Sequence, residues 1–243
     1  MDTNTKVNRK ILMIASNPAT SPVSGWPIGF WWAELTHPWL TFTEAGYDVV
    51  IASPDGGDLV GDGYSDPQDE SGYSAGDIIS LGFKLSPTHS AFLKGTRKLA
   101  DVDWRDFDAL MIVGGQGPMV TMIDNDALHR TFVEAHDAGK IVCAICHGTC
   151  ILLKTRRTNG ELLVAGRTWT GFANSEEEFA EQAAGTKLQP FWIETQAAEI
   201  ENTNFVTAQP FAPFAIRDGN LITGQQQNSG VAAAKLVIEA LGR

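Results

Sequence analysis

Cys146, followed by His147 and Gly148, is the residue of this 243-residue chain best placed to act as a nucleophile. The apolar run at 141–145 predicts a buried strand, and the residues from Thr149 onward have helical spacing. A cysteine on such a strand-to-helix turn projects its sulfur above the sheet edge, where the helix N-terminus favours the thiolate. The pattern Ala-x-Cys-x-Gly is the thiol counterpart of the nucleophile elbow. The alternative is a buried structural cysteine, which is the commonest fate of free cysteine.

The positions of the histidines limit which base can serve Cys146. The five are His37, His89, His129, His136 and His147. Because no histidine follows position 147, an α/β-hydrolase or papain-like arrangement is excluded, since both place the histidine far downstream of the nucleophile. A glutaminase domain with a downstream His–Glu pair is excluded for the same reason. The base must therefore be His147 or a carboxylate, unless His147 merely caps the helix.

Two groups of carboxylates are candidate partners for this centre. The acid that orients His147 would come from the run Glu176, Glu177 and Glu178, although glutamates in a first helical turn also complement the helix dipole. Spacing alone does not choose among the three. Glu34 lies at the margin of the apolar stripe of a predicted helix over residues 29–45. Partial desolvation there would raise its pKa toward the range of a general base; otherwise it is an ordinary exposed glutamate.

The Gly-Gly-Gln-Gly run at 114–117 follows an apolar strand predicted at 109–113, and its backbone N–H groups could bind an oxyanion. A metal site is not predicted. The spacing Cys143-x2-Cys146-x3-Cys150 resembles a thiolate cluster, but residues 143 and 146 point to opposite faces of one strand. His37, close to Glu34, has no matching partner motif.

Composition excludes several classes of protein. A net charge of −11 opposes binding to nucleic acid or to anionic membranes. No apolar run reaches the ~18 residues that span a bilayer, and the polar N-terminus lacks the apolar core of a signal peptide. Three cysteines within eight residues do not form a disulfide framework. We therefore expect a reducing, cytoplasmic location.

Alternating strands and helices predict an α/β protein with a mostly parallel sheet covered on both faces. No repeat or linker divides the sequence, so residues 1–243 are expected to form a single domain. A strand predicted at 167–172, before the acidic run, should neighbour the Cys146 strand. Small cap insertions are expected within 54–95 and 185–213.

The chain resembles the ThiJ/PfpI superfamily, which includes the parkinsonism-associated deglycase and has a class I glutamine amidotransferase-like fold. It is most similar to the branch of heat-shock chaperones and glyoxalase III enzymes. The matching segments appear in family order and cover nearly the whole chain: Glu34, residues 52–57, 114–117, 144–148, 171–177 and 221–225.

The resemblance implies a flavodoxin-like three-layer α/β/α sandwich with a small cap, usually assembled as a homodimer. It implies a Cys146–His147–Glu177 triad, with Glu34 hydrogen-bonded to the thiol. Backbone amides of Gly115 and His147 would bind the oxyanion. Gln116 stands where relatives often carry a histidine, so it changes the substrate pocket. No metal ligand of the family has a match, and no cofactor is implied.

The function expected from this resemblance is a glyoxalase III-like, glutathione-independent conversion of methylglyoxal or a related 2-oxoaldehyde to a hydroxy acid. Two other classes remain open: a stress-related holdase chaperone, in which apolar surface rather than the thiol acts, and a PfpI-type peptidase, amidase or deglycase.

Overall fold

The computed structural model describes residues 9–242, and its centre is a mostly parallel β-sheet. Within these residues the main sheet has seven strands in the order β10-β11-β7-β6-β1-β4-β5. All its neighbouring strands pair in parallel except the β10–β11 hairpin. The strands are β1 (Lys10–Ile14), β4 (Asp48–Ser53), β5 (Arg97–Lys98), β6 (Ala109–Ile112), β7 (Ile141–Ile145), β10 (Ala215–Asp218) and β11 (Leu221–Gly224). The predicted α/β class with a mostly parallel sheet is confirmed.

Helices cover both faces of this sheet, as the burial of alternate strand residues requires. They are α1 (Trp32–Glu44), α2 (Ile78–Leu85), α3 (Pro87–Ser90), α4 (Pro118–Thr121), α5 (Asp126–Asp137), α6 (Asn174–Ala184), α7 (Ile193–Ala198) and α8 (Gly230–Ala240). On one face Leu12 and Ile14 pack with α5 and α7. On the other, Ile11 and Met13 pack with α1, α2 and α8. The long central strands are therefore buried on both sides.

Two predictions about local structure were wrong. The strand predicted at 167–172 is only β8 (Thr168–Trp169), and it pairs with β9 (Asn204–Phe205) in a separate small sheet. The neighbours of the Cys146 strand are instead β6 and β11. The helix predicted from Thr149 onward is present, and the whole segment Cys146–Leu153 has the 3-10 rather than the α form. Apolar periodicity does not distinguish a 3-10 helix from an α-helix, because either helix can bury the same side chains.

The predicted helix over 29–45 begins later, at Trp32, and Trp31 lies just outside it. Its buried face carries Trp32, Leu35 and Phe42, together with Glu34. The segments predicted as caps hold α2 and α3 within 54–95, and α7 and β9 within 185–213. A further short hairpin pairs β2 (Ala19–Thr20) with β3 (Pro27–Ile28). No helix among residues 9–242 is both long and apolar enough to span a membrane.

Candidate active site

The strained residue Cys146 stands immediately after β7, at the edge of the sheet formed by the carboxyl ends of the parallel strands. Its φ of 53° is in the left-handed region, which a non-glycine residue occupies at an energetic cost. Thr149 Oγ1 donates a hydrogen bond to the Cys146 carbonyl at 2.6 Å and closes the turn. A Cβ at Gly148 would lie 3.1 Å from Ile112 Cγ2, so the turn packs closely on β6. This is the geometry of a nucleophile elbow.

His147 bridges the thiol and a carboxylate. Its Nδ1 lies 3.4 Å from Cys146 Sγ, and its Nε2 lies 2.9 Å from Glu177 Oε1. The carboxylate accepts from Nε2–H, which leaves Nδ1 to accept the thiol proton. Phe172 stacks on the imidazole with ring centroids 4.2 Å apart and holds the ring plane. Of the three glutamates that spacing left open, Glu177 contacts His147, while Glu178 is exposed.

Glu34 lies on the other side of the thiol, fully buried within α1. Neither of its carboxylate oxygens has a hydrogen-bond partner of ordinary geometry within residues 9–242. Its Oε2 would lie 2.3 Å from a Cβ placed on Gly114, so only glycine fits there. Burial raises the pKa of Glu34 well above its usual value, and the nearby Asp62 raises it further, while the Cys146 thiol and the Gly114 N–H oppose the shift. The site therefore favours the protonated form of the Glu34 carboxyl more than water does.

The surroundings of Cys146 favour the protonated form of its thiol. Burial raises its pKa well above the usual value, and the Glu34 carboxylate adds to this, whereas the His147 backbone N–H lowers it. This direction is opposite to the shift that a helix N-terminus is expected to produce. A short 3-10 turn supplies less dipole than an α-helix, and an apolar surrounding penalises the thiolate. The sulfur must therefore lose its proton during attack, to His147.

The turn at residues 114–117 is held by a residue that the sequence analysis did not single out. Asp62 is 1% exposed and accepts from the backbone N–H groups of Gly29 (2.8 Å) and Gln116 (2.7 Å). Burial raises its pKa to about 7. Gly115 has a φ of 104°, and a Cβ there would approach Trp31 N to 2.5 Å. Asp62 lies in a loop rich in Gly and Asp, where no sequence pattern marks one carboxylate as buried.

A cleft of about 110 Å³ opens above the sulfur. Cys146, His147, Glu177 and Gln116 line it, so three of the four predicted catalytic side chains and the predicted pocket residue Gln116 meet in one cavity. Two of the predicted site residues, Gly115 and Glu34, do not line the cleft. Glu34 lies behind the sulfur. The oxyanion role of Gly115 stays a prediction.

The other two cysteines differ from Cys146 in their surroundings. Cys143 and Cys150 are fully buried among apolar side chains, and this burial raises the pKa of both thiols. Cys143 packs on the opposite face of the sheet from Cys146, as the strand period predicts. In the part of the chain from residue 9 to 242, no group of three or more His, Cys, Asp or Glu side chains could hold a metal ion.

The fold and this site define an α/β protein with a cysteine–histidine–glutamate centre at a nucleophile elbow. The chain belongs to the DJ-1/PfpI family, whose profile matches residues 29–240. It is 27% identical to glyoxalase 3 of Candida albicans over 95% of this chain and 97% of that protein. It is 25% identical to the glutathione-independent glyoxalase HSP31 of Saccharomyces cerevisiae, over 88% of this chain and 89% of that protein.

The crystal structure of glyoxalase III from Candida albicans superposes with a TM-score of 0.79 at 25% sequence identity. The match covers 96% of this chain and 97% of that one. The architecture is therefore shared over nearly the whole of both chains.

Proposed function

We propose that this protein is a glyoxalase III-type enzyme that converts a 2-oxoaldehyde to a 2-hydroxy acid without glutathione. The observation that carries the proposal is His147 bridging Cys146 and Glu177, with the buried Glu34, whose pKa is raised, close to the sulfur. This arrangement supplies one nucleophile, one base and one separate proton donor. The names of the relatives support the same reaction.

In the first step the sulfur of Cys146 adds to the aldehyde carbon. His147 Nδ1 takes the thiol proton as the carbon–sulfur bond forms, and the Glu177 carboxylate stabilises the resulting imidazolium. Glu34 gives its proton to the former carbonyl oxygen, so the product is a neutral hemithioacetal. The amides of Gly115 and His147 are proposed to bind the oxygen while it carries charge.

In the second step a proton moves between the two adjacent carbons. Glu34, now a carboxylate in an apolar site, is strongly basic and removes the hydrogen of the sulfur-bearing carbon to give an enediol. It then delivers that proton to the neighbouring carbon. His147 gives its proton to the ketone oxygen as the enediol forms, and takes the hydroxyl proton of the sulfur-bearing carbon as the thioester forms. The product is a thioester of a 2-hydroxy acid. Water hydrolyses it, which releases the acid and the thiol, and the proton on His147 returns to Glu34.

The direct test is lactate formation from methylglyoxal in the absence of glutathione. We expect turnover by the wild-type protein and loss of at least ~10³-fold in kcat/KM in Cys146→Ala, because no other group can form the covalent intermediate. Cys150→Ala is the matched control and should retain activity. An inactive wild-type protein, or unchanged turnover in Cys146→Ala, would refute the proposal.

We also propose that the enzyme works as a homodimer in a reducing, cytoplasmic environment. The resemblance to the family supports the dimer. Three free, buried thiols at Cys143, Cys146 and Cys150 support the reducing environment. Sedimentation equilibrium would give the mass of the assembly, and a monomer at micromolar concentration would contradict the first part.

A further inference from the structure

The cleft above Cys146 has two aromatic walls. One wall is formed by Trp31, Tyr64 and Tyr73, whose rings meet edge to face at centroid distances of 6.1 Å and 6.3 Å. A second wall is formed by Phe172, Phe179 and Phe211, and the ring centroids of the last two are 5.2 Å apart. Edge-to-face pairs of this kind hold ring orientation. The cleft is thus a slot lined by two sets of rings and by Cys146.

Several of these rings are exposed to solvent in the unliganded protein. Tyr73 is 53% exposed, Phe179 is 54% exposed and Tyr64 is 37% exposed. Large apolar side chains that are exposed together usually mark a surface that something covers. Because all three line the cleft that leads to Cys146, a ligand in that cleft would cover them.

The polar groups of the cleft say what kind of ligand fits. Apart from the reacting centre and the two tyrosine hydroxyls, they are the neutral amides Gln116, Gln189 and Gln227. No lysine or arginine of residues 9–242 lines the cleft, and Glu177 adds negative charge. A substrate bearing a carboxylate or phosphate has no counter-charge here. A neutral, apolar side group matches the walls.

We propose that the substrate is a 2-oxoaldehyde whose ketone carbon carries an aryl or similarly bulky apolar group, rather than the methyl group of methylglyoxal. This inference rests on the proposed glyoxalase function. The dicarbonyl end would reach Cys146, and the aryl group would lie between Tyr73 and Phe179. A methyl group covers only the base of the slot and leaves both rings in water, so it forgoes the transfer of the aromatic surface.

The test compares phenylglyoxal with methylglyoxal, each without glutathione, by measuring mandelate and lactate. Wild-type kcat/KM should favour phenylglyoxal by at least ~10-fold, since burial of a ring is worth at least that factor. Phe179→Ala and Tyr73→Ala should each lower kcat/KM for phenylglyoxal by ~5-fold or more, mainly through KM, and lower kcat/KM for methylglyoxal by a smaller factor.

Phe92→Ala is the matched control, because Phe92 is 41% exposed but packs on Trp39, away from the cleft. This variant should change kcat/KM for neither substrate. Turnover of methylglyoxal that depends on Cys146, without preference for phenylglyoxal, would overturn the aryl substrate and leave the proposed function standing. Equal losses on both substrates in the cleft variants would overturn it as well. Turnover of neither substrate would overturn both proposals.

Discussion

Two buried glutamates near Cys146 have opposite environments. Glu176 is fully buried, but its Oε2 accepts from Ala173 N at 3.0 Å, and its Oε1 accepts from Phe211 N and Gln225 Nε2, each at 2.8 Å. Glu34 is equally buried and has no such partner within residues 9–242. Each carboxylate, when ionised, raises the pKa of the Cys146 thiol.

The difference shows that burial alone does not mark the reactive group. The bonds of Glu176 join the start of α6 to the segment around Phe211, so this carboxylate stabilises the wall of the cleft. The desolvation of Glu34 is only partly offset by the Cys146 thiol and the Gly114 N–H. Such a group is retained where its elevated pKa serves chemistry.

The largest expected effect is on catalysis in Glu34→Gln. The amide keeps the shape but neither donates nor takes a proton in this role, so kcat/KM should fall by ~10²–10⁴-fold. The free energy of unfolding at pH 8 should stay the same or increase, because the variant has no ionisable carboxyl group to bury at this position. Kinetics and urea denaturation measure the two quantities. Glu178→Gln, at the exposed position, is the control. Near-normal turnover in Glu34→Gln would show that its unpaired state has no catalytic purpose.

Asp62 is the intermediate case, with two amide donors and a pKa raised to about 7. The folded state holds this proton more tightly than the unfolded chain, whose aspartate titrates near pH 4. The contribution to stability is therefore complete below pH ~4 and is lost as the pH rises to ~7. The unfolding free energy of the wild type, relative to Asp62→Asn, should decrease by ~2–4 kcal/mol across that window. A difference independent of pH would contradict the assignment.

Glu176→Gln should reverse the pattern of Glu34. Its amide group would face backbone donors in place of one carboxylate oxygen, which costs ~1–3 kcal/mol in unfolding free energy. The catalytic groups remain, so kcat should change by no more than ~5-fold, an order below the effect of a lost general acid–base group. Urea denaturation and steady-state kinetics check this prediction. If Glu176→Gln lost activity as Glu34→Gln does, without loss of stability, the distinction between the two glutamates would fail.

The smallest expected effect extends the comparison to the thiols. Native protein treated with iodoacetamide should be modified only at Cys146, and more slowly at pH 7 than a free thiol, because burial and Glu34 raise its pKa. Cys143 and Cys150 should react only after denaturation. Mass spectrometry counts the adducts, and Cys146→Ala should show none in the native state. Rapid labelling at pH 7 would indicate an ionised thiol and would contradict this prediction.

Much of this protein was determined by its sequence. The alternation of apolar segments gave the α/β class and the parallel sheet, since strands buried on both faces must be apolar throughout. The elbow at Cys146 and the absence of any later histidine limited the base to His147 or a carboxylate. The family segments assigned Glu177, and the structure places this residue 2.9 Å from His147.

Only the tertiary structure decided the electrostatics of the site. The sequence placed Glu34 at the margin of its helix, but complete burial depends on Gly114 and on the strands packed against α1. The role of Asp62 is evident only from the structure, in which its loop contacts the turn at 114–117 through the Gln116 N–H. The raised pKa of Cys146 follows from desolvation, which depends on the atoms of every element packed around the thiol. Local sequence patterns set which groups are present, whereas a pKa depends on what surrounds them in space.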